Sequence, residues 1–143
     1  MPASDPDARR PRSLTDSNRP MFRPKGGTLR PIISGPGDGE RFIRENRTVT
    51  IRLDLPELSI HEIEFDTTFE VAGHTHTHLD VMYVLEGQVE FLDADDIVRV
   101  GPGSLIAAPP GARHGFRNPG PGRSRVLVLH APDGGFAQVI RDT

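Results

Sequence analysis

Glycine and proline break this chain into about ten short runs of strand-forming residues, and no convincing long helix lies between them. Residues 28–33, 40–43, 49–53 and 58–65 read as strands, as do 83–85, 88–92, 97–100, 104–108, 113–117 and 125–130. Turn chemistry separates them at 34–39, 45–47, 86–87, 93–96, 109–111 and 118–122. With 15 Gly, 14 Pro and an apolar content of 35% in 143 residues, short strands joined by tight turns use this composition best. The expected fold class is therefore all-β and antiparallel, closed as a barrel or sandwich. Closure removes most unpaired strand edges and leaves an interior wide enough for one small ligand. Residues 136–141 read as one or two helical turns capping an end.

The length suits one domain with a modest core. Residues 1–27 stand apart, with five prolines, many charges and almost no apolar periodicity. They read as a disordered or draped N-terminal arm, anchored if at all by Met21 and Phe22, and 28–143 as the barrel domain with its short cap. Net charge is −3 overall, with +4 in residues 1–30 and −7 in the remainder. The basic part is too dilute and too broken by proline to address nucleic acid. No apolar run approaches the roughly 18 residues that span a bilayer, so no membrane partner is expected. The N-terminus lacks a basic-then-apolar signal pattern, which makes a cytoplasmic location the expectation. Lys25 is the single lysine beside many arginines, a compositional hint of a GC-rich bacterial gene.

Chemistry concentrates in Gly73-His74-Thr75-His76-Thr77-His78-Leu79-Asp80, which holds three of the six histidines. On an extended chain, side chains two apart share a face at roughly 6.5 to 7 Å along the strand. His74 and His76 can then aim two imidazoles at one point, and Asp80 has the same parity if the strand stays regular. Two nitrogens and a carboxylate at one spot suit a divalent transition metal. The blander reading is a solvated His-Thr strand or loop. With no cysteine in the chain, any metal must be held by His and carboxylate. His78 shares the parity too and could replace Asp80 if the chain bends after His76, although a solvated turn residue is its simplest reading. His61 and His130 lie on apolar strands and read first as core histidines, second as pocket residues. Met82, Val84, Ile106, Ala108 and Phe116 are expected to line the interior, and Tyr83, of opposite parity, to face away.

Two spacings carry a family resemblance. His74-x-His76, three residues, Asp80, six residues, Gly87 is followed, fifteen residues on, by Gly103, five residues, Pro109-x-Gly111, two residues, His114, three residues, Asn118. Over about residues 28–132 this resembles the double motif of the cupin superfamily, in its small single-domain form. It departs from that pattern in two places: Asp80 stands where the family has Glu, and the opening glycine is displaced to Gly73, next to His74. The resemblance implies a double-stranded β-helix, the jelly roll with a metal inside. It implies His74, His76, Asp80 and His114 as metal ligands, with Asp80 in contact, bound through a water, or orienting an imidazole. Fe(II) is the favoured ion, with Mn, Ni or Zn as alternatives. A small-molecule substrate and dioxygenase-type chemistry are implied first, metal-dependent cyclase or isomerase chemistry second, and a non-catalytic binding barrel third. It also implies a homodimer in which residues 28–33 cross to the partner.

Overall fold

The structure, a computed structural model, describes residues 29–143. In chain order these form β1 (Glu40–Ile43), β2 (Arg47–Asp54), β3 (Ser59–Phe65), β4 (Glu70–His74), β5 (Leu79–Glu86), β6 (Val89–Asp93), β7 (Asp96–Val100), β8 (Leu105–Ala108), β9 (His114–Arg117), β10 (Ser124–Ala131) and the helix α1 (Phe136–Asp142). Two antiparallel sheets result, one ordered β1-β2-β3-β10-β5-β8 and the other β4-β9-β6-β7. This is the expected all-β jelly roll, a double-stranded β-helix.

Strict alternation builds its interior. On β3 the buried residues are Ser59, His61, Ile63 and Phe65, and on β10 Ser124, Val126, Val128 and His130. The register seats Val126 between Ile63 and Val84, Val128 between His61 and Met82, and His130 between Ser59 and Asp80. One inward row therefore runs from an apolar end at Phe65, Val84 and Val126 to a polar end at His130 and Asp80. On the other face of the same strands, Glu62 pairs with Arg125 at 2.6 Å and Arg52 at 3.1 Å. Such partly exposed pairs each contribute about 1 kcal/mol or less. The C-terminal helix buries Ala137 and Ile140, and Arg141 ties it to Glu40 of β1 and Asp54 of β2 at 3.1 Å each.

Two expectations need correction. Residues 29–33 form no strand: Pro31 lacks a ladder donor, and Arg52 on β2 instead holds the following turn through Ser34 Oγ (3.0 Å) and the Gly35 carbonyl (2.9 Å). Thr28 and the arm read for 1–27 lie outside the described residues. The strand carrying His74 also does not run on to Asp80. It stops at His74, residues 75–78 bend, and β5 starts afresh at Leu79. The bend is held from outside, because the Gly111 N–H donates to the His76 carbonyl at 2.8 Å. Gly111 sits at φ +85°, a conformation that suits glycine at the end of the Pro109-Pro110 turn.

Candidate metal centre

His74 ends β4 and pairs across the sheet with His114, the first residue of β9. His76 hangs from the bend, and Asp80 enters from β5 in the opposite sheet. One donor atom from each of these four residues lies within 4.8 Å of the others. Every ligand candidate from the two spacings is thus brought together, although the regular strand that parity required is broken. Convergence comes from the bend and from the closure of two sheets.

Hydrogen bonds decide which nitrogens face the centre. His74 Nδ1 lies 2.8 Å from the Ala72 carbonyl, and His114 Nδ1 lies 2.9 Å from the Ala112 carbonyl. A carbonyl only accepts, so each Nδ1 carries the proton, and in a neutral ring Nε2 is left as a lone pair. Yet His114 Nε2 faces Asp80 Oδ2 at 3.0 Å, and His74 Nε2 faces His76 Nε2 at 2.8 Å. His76 Nε2 is a further 3.6 Å from the same carboxylate oxygen. A proton on His76 settles its gap to His74, but lone pair still faces carboxylate at His114. An added proton or a cation between them is required, and a divalent cation satisfies all four donors at once.

Burial sets the protonation of this ground. Burial first, and the neighbouring His74 and His78 after it, pull His76 down from 6.5 to about 4, so its ring is neutral, the form that binds metal. Burial alone would raise the Asp80 carboxyl, but its contacts with His130 and His114 outweigh that and hold it below the usual carboxylate range. The four residues open onto a cavity of about 140 Å³ whose remaining wall includes Phe69, Met82, Ile106, Phe116 and Phe136. All five residues expected in the interior are there: Met82, Ile106, Ala108 and Phe116 line this cavity, and Val84 is fully buried in the adjoining core. Tyr83 faces outward, as its parity requires.

The remaining histidines differ from expectation. His78 is not a solvated turn residue: it is only 8% exposed, stacked on His76 with ring centres 4.4 Å apart. Gly134 closes over it so tightly that a Cβ there would collide with the His78 ring. His130, opposite Asp80 in the β5–β10 ladder, places Nε2 at 3.4 Å from Asp80 Oδ2 and lines the cavity. His61 is fully buried against Phe136, with ring centres 4.4 Å apart, and its Nε2 lies 3.2 Å from Ser59 Oγ. Burial and then the neighbouring His130 hold it down at about 4. All six histidines of the chain form one continuous run of ring contacts: 61–130, 130–78, 78–76, 76–74 and 74–114. The signal for His130 was in the sequence, as the third member of the inward set Val126, Val128, His130. No signal placed His78, whose burial depends on a glycine 56 positions away in the chain.

A family profile described as "Cupin domain" matches residues 62–130. Among solved structures, an RmlC-like cupin from Shewanella frigidimarina NCIMB 400 is 24% identical with a TM-score of 0.65, over 73% of this chain and 93% of that one. KdgF from Halomonas sp. is 24% identical with a TM-score of 0.61, over 68% and 92%. The DMSP lyase DddQ from Ruegeria pomeroyi DSS-3 is 18% identical with a TM-score of 0.56, over 67% and 57%. At these identities the likeness is one of fold. No curated protein matches the chain.

Proposed function

We propose that the chain, whose residues 62–130 match the cupin-domain profile, is a small cupin and a metal-dependent enzyme acting on a small organic molecule by dioxygenase-type chemistry. The observation that carries this reading is the convergence of His74, His76, Asp80 and His114, one donor atom of each within 4.8 Å of the others, in a cluster that a divalent cation completes. His74, His76, Asp80 and His114 would hold the ion. Three imidazoles and a carboxylate with positions to spare suit Fe(II), the ion favoured here, and also Mn(II) or Ni(II), with Zn(II) less suited because a closed tetrahedral site leaves no vacancy. Such an ion supplies Lewis-acid polarisation of an enol or carboxylate oxygen and, as iron, a place to activate oxygen beside it.

The protein's own residues do the rest. The Ala72 and Ala112 carbonyls lock two imidazoles in the tautomer that leaves Nε2 bare. Phe69, Phe116 and Phe136 supply an apolar wall beside the centre. No Lys or Arg lines this cavity among the described residues, so a small, largely apolar enol or diketone suits it better than a polyanion. Its volume is on the scale of one small ring.

A second reading, isomerase or cyclase chemistry, is favoured by His130. Its ring lines the cavity beside Asp80 and could take and return a proton without oxygen. Untagged protein should be purified without added metal and its elements measured beside His114→Ala. Iron near one per chain, lost in the variant, with oxygen consumed on enols or diketones, is the expected result. Turnover without oxygen uptake would transfer the assignment to the isomerase reading. No metal even after reconstitution would leave a binding barrel.

We extend the same reading to assembly and location: a cytoplasmic homodimer formed through the outer face of the six-stranded sheet. The adjacent residues Tyr83 and Leu105, 39% and 64% exposed, would lie at that interface. A monomer by light scattering would remove the dimer.

A further inference from the structure

The histidines that the four-donor centre leaves over form a second group. His76, His78 and His130 each offer a ring nitrogen within 4.8 Å of the others, and His76 belongs to both groups. His78 and His130 are 8% and 4% exposed, and the rings of this trio lie 4.4 to 5.7 Å apart. Their polar atoms are not used up by the protein. His78 Nε2 and His130 Nδ1 are buried with no hydrogen-bond partner among the described residues. A buried, unpaired imidazole nitrogen carries an uncompensated desolvation cost, and two within one group need an explanation.

Packing holds the rings where they are. Gly134 leaves no room for the His78 ring to withdraw, since a Cβ there would lie 2.6 Å from Nδ1 and 3.1 Å from Nε2. A water could satisfy one nitrogen, but three imidazoles, with the Asp80 carboxylate 3.4 Å from His130 Nε2, match the coordination preferences of a borderline divalent ion such as Zn(II) or Co(II).

We propose that His76, His78 and His130 form a second divalent-metal position adjoining the first, so that the chain can hold two ions linked through the shared His76. To serve both positions His76 bridges as an imidazolate, its remaining ring N–H proton leaving to solvent as the second ion binds, since a neutral ring has only one lone pair. Because one ligand is shared, the second ion binds more weakly than the first. The proposal stands on the second cluster's own geometry and does not require the reaction proposed above.

The test is a Co(II) titration of untagged, metal-free protein, read by visible absorption and by metal retained after equilibrium dialysis. Wild type should take up two equivalents. His74→Ala/His114→Ala, which cripples only the four-donor centre, should still hold one, and adding His78→Phe should abolish it. Gly134→Ala leaves every nitrogen in the chain but displaces the His78 ring, so it should lose the second equivalent and keep the first. It also serves as the decisive variant if replacement of His78 prevents folding. Saturation of wild type at one equivalent would overturn the proposal. So would a second equivalent that survives both the His78 replacement and Gly134→Ala. A single ion lost with His78 but kept without His74 and His114 would overturn the two-ion proposal and the four-donor centre alike.

Discussion

Asp80 is where the chemistry of single residues matters most. It is one methylene shorter than the glutamate of the family pattern, yet its Oδ2 lies within 3.0 to 3.6 Å of a ring nitrogen of His114, His130 and His76. Removing its charge should weaken metal retention by about 10–100-fold in Asp80→Asn, measured by competition with a chromophoric chelator. Asp80→Glu, which restores the longer reach, should lose much less. His61 gives a pH signature separate from the centre. Its folded ring is held at about 4 against 6.5 in the unfolded chain, so the unfolded state takes up a proton that the folded state refuses. Stability should be complete above about pH 6.5, fall progressively towards pH 4 and level off below it, by on the order of 3 kcal/mol from this residue. Denaturant melts of metal-free protein across that window should show the slope, and His61→Leu should reduce it, leaving the part that His76, also held at about 4, contributes. An unchanged slope in the variant would assign the acid loss elsewhere.

Among the elements, the turns bind the two sheets into one site. The β5–β6 turn places Gly87 at φ +76°, and a Cβ there would lie 2.7 Å from the Arg123 carbonyl and from Ser124 Oγ. Gly87→Ala should therefore destabilise the protein by at least about 1–2 kcal/mol in urea, the cost of the left-handed backbone alone. Asn118, the last position of the second spacing, does equivalent structural duty. Its Nδ2 donates to the Phe65 and Gly122 carbonyls, and its Oδ1 accepts from the Gly120 N–H. It stands in the loop after β9, not at the metal centre. Most strands were legible from alternation and turn residues because local geometry dictates both. The missed element was the break between β4 and β5. Nothing local forbids His74 to Asp80 from staying extended; the bend is held by a hydrogen bond from Gly111, 35 residues on.

For the molecule as a whole, two sheets with an apolar interior at Phe65, Val84, Val89 and Val126 support a polar end where the histidines collect. An ion bound only by the folded state adds RT ln(1 + [ion]/Kd), about 2.7 kcal/mol at a hundredfold excess over Kd. Chelation should then lower Tm by several degrees, and saturation should restore it, in scanning calorimetry. A Tm indifferent to both would argue that the histidine cluster is satisfied without metal.

The sequence by itself determined the fold class, because a period of two between glycine and proline turns admits little besides stacked antiparallel strands. It also marked His74, His76, Asp80 and His114 as candidate ligands, through a spacing that resembles a family motif, and the fold brings one donor atom of each within 4.8 Å of the others. Only the tertiary structure decided that His78 is buried, that His130 stands beside Asp80 and that six histidines form one cluster. Those facts depend on register and closure, on β10 lying between β3 and β5 and on Gly134 pressing against a ring from the far end of the chain. Such contacts join residues with no local relation, so no window of the sequence contains them.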